Sequence, residues 1–445
     1  MTRYLIILLQ LIILLVIATW SINNSKPVSF TLNDFVVTTS TSVLIISIIA
    51  LILISLVFQR FIFYLKQILT KYKFKREKSK YENGYNSFFR GIIALANKDF
   101  SLAAKESKRV NKYLSDKSYS LLLESEIFKI EKKYNQLNNV YESMLKIKDM
   151  NLLGLRGLME QNLREQDFHH AFIYGEKIFK VNPKIDKLYD TLINIISKTN
   201  NWNKLIEINN QALKLKIIDK KIYNENTSIA YYEIAKIKKY GFENESIKFM
   251  EKAIKLRQFF QPYIYFYLEL LIENNEHTKA KKYLKKIWRN LDHPKLDNLI
   301  QILSKSLKIS FYDLAQYITS GSQNLYQSKI LLTESLIEKN NWTDAKKQIS
   351  SLLDHKPDKD VCLLMAKIEE GENNDPQKIN SWINRSNFGR LNKIWICKIT
   401  NVHQFEWSSL SKSGYFNSLE WRYPNDNSSL NFSQLEKDRI EYIDK

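Results

Sequence analysis

The chain has 445 residues, a mass of 52.7 kDa and a formal net charge of +20. Its 10 glycines and 7 prolines are too few for Rossmann, hydrolase or barrel folds, which need many glycine turns at strand–loop junctions. Hydrophobic residues at 44% exclude a disordered chain, and two cysteines, Cys362 and Cys397, exclude a disulfide framework or a four-thiolate zinc site.

A mostly helical protein with short connections remains, and it opens with two apolar runs. Tyr4–Ile22 reads YLIILLQLIILLVIATWSI and Val43–Phe58 reads VLIISIIALILISLVF. With their flanks, both are long enough to cross about 30 Å of hydrocarbon as helices, which predicts spans at about residues 4–22 and 41–62 within a membrane region 1–65. The first run reads as a retained span, because no A-x-A-like cleavage site surrounds Ala18-Thr19-Trp20. Between the spans, PVSFTLNDFVVTTS alternates around Asn33-Asp34 and predicts a hairpin.

Charge then sets the topology. Eight basic residues, Arg60, Lys66, Lys71, Lys73, Lys75, Arg76, Lys78 and Lys80, stand against one acid, Glu77, up to residue 80. The positive-inside rule therefore puts the large C-terminal part, and with two spans the N-terminus too, in the cytoplasm. Residues 66–83 are expected to form a basic juxtamembrane helix, either a topology signal alone or a helix lying on anionic headgroups. No recognition motif for nucleic acid accompanies the charge, so lipid is the expected anionic partner.

From residue 84 the chain repeats itself. Phe100, Tyr134, Phe168 and Trp202 follow one another at 34-residue steps, with Ala103, Leu137, Ala171 and Leu205 three residues later. Val110, Met144, Ile178 and Ala212 continue the same helix face. Gly91 takes the small position in the first helix of the first repeat, and Pro183 closes the unit that contains Phe168. A helix-turn-helix of this period is that of the tetratricopeptide repeat. Later units are looser: one lies around Phe242, one around His277 with Ala280 and closed by Pro294, and one around Trp342 with Ala345 and Pro357. Residues 295–325 hold a degenerate unit and 361–386 a last helix pair, giving a solenoid over 84–390. Stacked pairs bury a shared core and leave a groove for partner proteins, and repeat ends of this kind also self-associate.

Nothing in the chain reads as catalytic. There is no phosphate-binding loop, dinucleotide fingerprint, zinc-protease motif or nucleophile elbow. His169 and His170 are the weak candidates for a haem iron, but adjacent helical side chains diverge by about 100° and cannot chelate one ion. No cofactor and no metal are expected.

Residues 391–430 stand apart, with Trp395, Cys397, Trp407, Gly414 and Trp421 in a non-repetitive stretch, followed by a tail at 431–445. This stretch predicts a small irregular cap over the exposed face of the last helix pair. The expected architecture is therefore all-α: a transmembrane helical hairpin, a tetratricopeptide solenoid and a C-terminal cap.

The span pair with its PVSFTLNDFVVTTS loop, the segment FFRGIIALANKDFSLAAKESKRV and the ending GYFNSLEWRYP together resemble the HemY family of bacterial inner-membrane proteins, in particular its alphaproteobacterial branch. The ending also resembles an eroded rubredoxin-type ribbon, with Cys397 kept and Thr400, Leu410 and Ser413 at the other three ligand positions. The resemblance implies a multi-pass inner-membrane location and a role in late haem biosynthesis, fitting a non-enzymatic scaffold that gathers haem-pathway enzymes. Two other readings stay open: a scaffold of lipopolysaccharide assembly that recruits a membrane protease, and direct porphyrin binding.

Overall fold

The computed structural model describes residues 2–32, 35–291, 296–353, 357–389 and 393–424. The expectations for Asn33-Asp34, Pro294 and the tail 431–445 fall outside these residues. The chain divides into two units, residues 1–140 and 141–445.

The first unit begins with helix α1 (Thr2–Asn23) and strands β1 (Pro27–Leu32) and β2 (Phe35–Ser40). The strands pair antiparallel from Pro27↔Ser40 to Leu32↔Phe35, the hairpin that the alternating loop predicts. Backbone and side chain close its base, with Lys26 N–H donating to Thr41 Oγ1 at 3.0 Å and Thr41 N–H to Lys26 O at 3.0 Å. Helix α2 (Thr41–Ala96) follows and is apolar and long enough to cross a membrane.

Here the structure differs from the expected division. A span at 41–62, a separate basic helix at 66–83 and a repeat beginning at 84 are one unbroken helix of 56 residues, about 84 Å long at 1.5 Å per residue. The reason is local: from Phe58 to Asn83 there is neither proline nor glycine to stop the hydrogen-bond ladder. Lys66, Lys71, Lys73, Lys75, Arg76, Lys78 and Lys80 are all exposed on it, and 100° per residue spreads them around the whole circumference. A helix lying on headgroups needs one apolar face, and this segment instead continues the axis of the apolar run.

Gly84 and Gly91 follow in the same helix because the repeat packs there. A Cβ at Gly91 would lie 2.8 Å from Leu123 Cδ1, and one at Gly84 2.5 Å from the Leu114 side chain. Helices α3 (Phe100–Tyr113) and α4 (Ser118–Ile130) complete this core with Ala103, Val110, Leu123 and Ile127. Glu106 is buried in it, 2.6 Å from Arg109 Nη1 and 3.5 Å from Arg90 Nε.

Helix α5 (Tyr134–Leu145) leads into the second unit, a stack of helix pairs. The pairs are α6 (Asn151–Arg164) with α7 (Phe168–Val181), α8 (Leu188–Lys198) with α9 (Trp202–Lys214), α10 (Lys220–Ile237) with α11 (Glu243–Leu256), and α12 (Gln261–Glu273) with α13 (His277–Ile287). The next are α14 (Asp297–Leu307) with α15 (Phe311–Thr319), α16 (Tyr326–Glu338) with α17 (Trp342–Ser350), and α18 (Lys359–Glu372) with α19 (Pro376–Asn387). The stretch read as a degenerate unit, 295–325, contains the short pair α14 and α15. Ala171, Leu205, Ala280 and Ala345, the residues read as repeat-defining, are fully buried. Pro183 and Pro357 sit in the turns after α7 and before α18.

The turns within pairs explain the shortage of glycine. Lys98, Lys132, Gln166 and Asn200 recur at 34-residue steps with φ between 54° and 61°. They fill the left-handed position that usually takes glycine after a helix, which costs a side-chain-bearing residue about 1–2 kcal/mol. Each is followed by the long closing bond of this motif, such as Asp99 N–H to Ala94 O at 2.8 Å and Asp167 N–H to Asn162 O at 2.9 Å. Asp99, Asp167 and Asn201 then cap the next helix by accepting from the amides of Leu102, His170 and Lys204. Phe100, Phe168 and Trp202 are therefore the first residues of capped helices, and Tyr134 is the first residue of α5.

The C-terminal stretch is not irregular. Strands β3 (Ile394–Cys397), β4 (His403–Gln404) and β5 (Leu419–Arg422) form an antiparallel sheet in the order β4-β3-β5. Trp395 pairs with Trp421 and Cys397 with Leu419.

Candidate protein-interaction face

The first helix of each pair lines one face of the stack, and the C-terminal module sits on the middle of that face. It does not cap the last pair, as the sequence suggested. Trp407 is buried edge-on against Phe260 (ring centroids 5.0 Å apart), Tyr232 (5.3 Å) and Tyr263 (5.8 Å), and Trp395 meets Phe260 at 5.8 Å. Phe416 lies 6.5 Å from Trp202. The rings of Tyr232 on α10 and of Phe260 and Tyr263 at the start of α12 form the aromatic surface on which the module packs.

Polar contacts fix the register. The Phe416 amide donates to Asn194 Oδ1 on α8 at 3.2 Å, and Asn417 Nδ2 donates to Asn226 Oδ1 on α10 at 3.2 Å. Asn226 belongs to a buried chain of hydrogen bonds: its amide donates to Tyr189 Oη at 2.9 Å, Tyr189 donates to Asn209 at 2.6 Å, and Asn209 donates to Thr227 at 3.2 Å. Burial pushes the Tyr189 phenol well above its ordinary range, so it stays a donor throughout physiological pH. Asn417 extends a network that would otherwise end at the surface.

The two turns that correspond to the ribbon's knuckles do come together. Thr400 Oγ1 and Ser413 Oγ are hydrogen-bonded at 2.8 Å, and Cys397 Sγ lies 3.4 Å from Ser418 Oγ. Gly414 closes the second turn with φ 78°. This donor set, one thiol and two hydroxyls with Leu410 at the fourth position, does not fit a tetrahedral thiolate centre. Burial raises the Cys397 thiol, but hydrogen bonds with Ser418 and Thr400 and from the Thr400 and Ile399 amides outweigh it and bring the thiol down to about 6.

The two histidine candidates lie side by side at the start of α7. His169 and His170 are exposed on α7, their rings 5.6 Å apart and nearly perpendicular. His170 Nδ1 is committed to Asp167 Oδ2 at 2.7 Å, as part of the helix cap. The basic residues Arg60 to Lys80 belong to the first unit, on the exposed shaft of α2. Cys362 is buried in α18 as a core residue.

Asn194, Asn226 and Lys198 were not singled out in the sequence. Asparagines and lysines are so frequent in this chain that three of them on the first-helix face carry no visible signal. Phe416 and Asn417 could have been suspected, because they flank the turn at Gly414.

Residues 27–128 match the family model described as "HemY protein N-terminus". Among curated proteins none matches this chain. Solved structures similar to it include Naa15/Naa10 bound to HypK-THB, at 13% identity and a TM-score of 0.39. That likeness covers 69% of this chain and 53% of that one. A second is the C-terminal part of a TPR repeat-containing protein from Cytophaga hutchinsonii, at 18% identity and a TM-score of 0.31, covering 53% of this chain and 90% of that one. A third is Pseudomonas aeruginosa pilF, at 12% identity and a TM-score of 0.21, covering 62% and 92%. Residues 27–128 of this chain thus carry the N-terminal domain of the HemY family, and helix-pair repeats follow it.

Proposed function

We propose that the chain is a non-enzymatic scaffold of the bacterial inner membrane that gathers partner proteins, enzymes of late haem biosynthesis among them, on its first-helix face. The observation that carries this reading is the continuity of α2, whose apolar run and first repeat helix are one element between Thr41 and Ala96. A helix of this kind ties the first repeat to the bilayer, and an array held at the membrane raises the local concentration of whatever it binds. In this reading α1 and the apolar part of α2 form a two-span hairpin with both termini in the cytoplasm. The basic residues of α2 hold that orientation. The haem assignment rests on the family name.

In-cell crosslinking, detergent extraction and mass spectrometry test the proposal. Haem-pathway enzymes should accompany the wild type and be lost when first-helix residues of α6 and α8 are charge-reversed. Recovery of lipid alone would sink the scaffold reading. Lipopolysaccharide enzymes or a membrane protease in place of haem enzymes would replace the proposed partner set.

A further inference from the structure

We infer that a small organic anion with an apolar body binds in a cavity between α11 and α13, the second helices of two successive pairs. The inference goes beyond the scaffold reading and does not depend on it. The cavity measures about 370 Å³ and falls in the range of built ligand sites, about 300–1,000 Å³.

Two helix stripes make its walls. On α11, Glu251, Ile254 and Lys255 stand at i, i+3 and i+4, and on α13 Tyr283, Lys286 and Ile287 repeat that spacing. Tyr267 of α12 lies behind them, buried like Ile287, and its ring meets that of Tyr283 edge-on with centroids 5.1 Å apart. The two isoleucines and the two rings give the cavity an apolar lining, which suits a ligand with an apolar body.

The polar groups left unused there are donors. The Tyr283 hydroxyl is buried and has no hydrogen-bond partner. Burial, and then the neighbouring Tyr267, push this phenol above its ordinary range, so it keeps its proton and can donate. Lys255 and Lys286 are exposed, and neither enters an ion pair or rests on a ring among the described residues. Glu251 is already engaged: it accepts from the Tyr267 hydroxyl at 3.0 Å and pairs with the Lys279 ammonium at 3.0 Å. Two free ammonium groups and one unpaired buried hydroxyl thus border a single cavity, and an anionic group on the ligand answers all three.

The charge of α13 as a whole does not explain this arrangement. Lys281 and Lys285 lie on the same helix, but both ammonium groups rest 4.3 Å from the Tyr317 ring of α15 and neither residue lines the cavity. They carry the same charge as Lys255 and Lys286, so they serve as the control for binding by general attraction.

Isothermal titration calorimetry on the full chain in phosphatidylcholine nanodiscs tests the site with naphthyl phosphate. Naphthylmethanol and naphthylmethylamine keep the ring and lose or invert the charge. The phosphate should bind at one site per chain, and the other two at least tenfold more weakly. Tyr283→Phe should cost about tenfold in affinity for the phosphate, with no fall in melting temperature, because it removes a hydroxyl that has no partner. Lys255→Gln/Lys286→Gln should lose at least as much, while Lys281→Gln/Lys285→Gln should stay within about twofold of the wild type.

Equal binding of the three probes, or none, overturns the inference, as does unchanged affinity in Tyr283→Phe. Equal losses in the two lysine pairs also overturn it, because they would reduce the site to a basic surface. A short-chain phosphatidylglycerol separates two sources of such an anion. Displacement of naphthyl phosphate by it makes the occupant of this site a lipid headgroup, and retention of the probe makes it a soluble organic anion.

Discussion

The indole of Trp407 stands edge-on to the ring of Phe260, their centroids 5.0 Å apart and their planes 85° from parallel. The two residues are separated by eight helices in sequence, α12 to α19, so this contact returns the end of the chain to the middle of its own repeat array. Trp395, Cys397 and Leu419 are buried in the same apolar cluster as Tyr263, Leu271 and Leu303. The module is part of the core of the second unit, and the free part of the first-helix face lies beside it, along α6 and α8.

Trp407→Ala should remove the largest ring of this contact, at a cost of about 3–5 kcal/mol. Denaturant unfolding of the detergent-solubilised protein would measure it. A loss below about 1 kcal/mol, within the range of an ordinary surface substitution, would mean the module is only loosely seated.

Left-handed turn residues offer a gain. Gln166→Gly and Lys132→Gly relieve side chains held at φ 60° and 57° and should each stabilise the protein by about 0.5–1 kcal/mol, after glycine's larger unfolded-state entropy is discounted. Gln166→Val should lower the melting temperature instead, because a β-branched residue tolerates that conformation worst. A fall in stability for both glycine variants would contradict the turn geometry.

Glu334 on α16 titrates in an unusual range. Burial, and then the neighbouring charges of Asp297 and Asp360, push its carboxyl up to about 8, against an opposing effect of Lys367. A raised folded-state value means the native state holds the proton more tightly. The contribution is full below the unfolded-state value near 4.5 and is lost as pH rises through about 8. Melting temperatures should therefore fall between pH 6 and pH 9 for the wild type by more than for Glu334→Gln, which mimics the protonated form. Parallel pH profiles would refute the assignment.

The two knuckles remain close enough to be re-armed. Thr400→Cys, Leu410→Cys and Ser413→Cys together with Cys397 should bind Co(II) with the absorption of a tetrahedral thiolate site, since Thr400 and Ser413 already meet at 2.8 Å. The wild type should give no such bands. A triple variant that folds and stays spectrally silent would show that the turns are not arranged as two halves of one site.

Much of this was legible before any coordinates. Aromatic residues at Phe100, Tyr134, Phe168 and Trp202 and small or aliphatic residues three positions later mark helix starts and cores, because both are set by local packing with a fixed period. The pairs Lys98-Asp99, Gln166-Asp167 and Asn200-Asn201 also repeat, and mark the turn and cap that precede each helix. Two features were not legible. The length of α2 escaped because a change from apolar to basic composition looks like a boundary, while the backbone responds to proline, glycine and caps. The seat of the C-terminal module escaped because Trp395, Trp407 and Phe416 find their partners at Phe260, Tyr232 and Trp202, far away in sequence.

Hydrogen exchange on the intact protein in nanodiscs tests the central claim most directly, comparing the wild type with a Trp407→Ala/Phe416→Ala variant. If the module sits on the first-helix face, amides of α8, α10 and α12 should exchange faster in the variant while those of α18 and α19 keep their protection. Faster exchange confined to α18 and α19 would make the module an end cap and contradict the account.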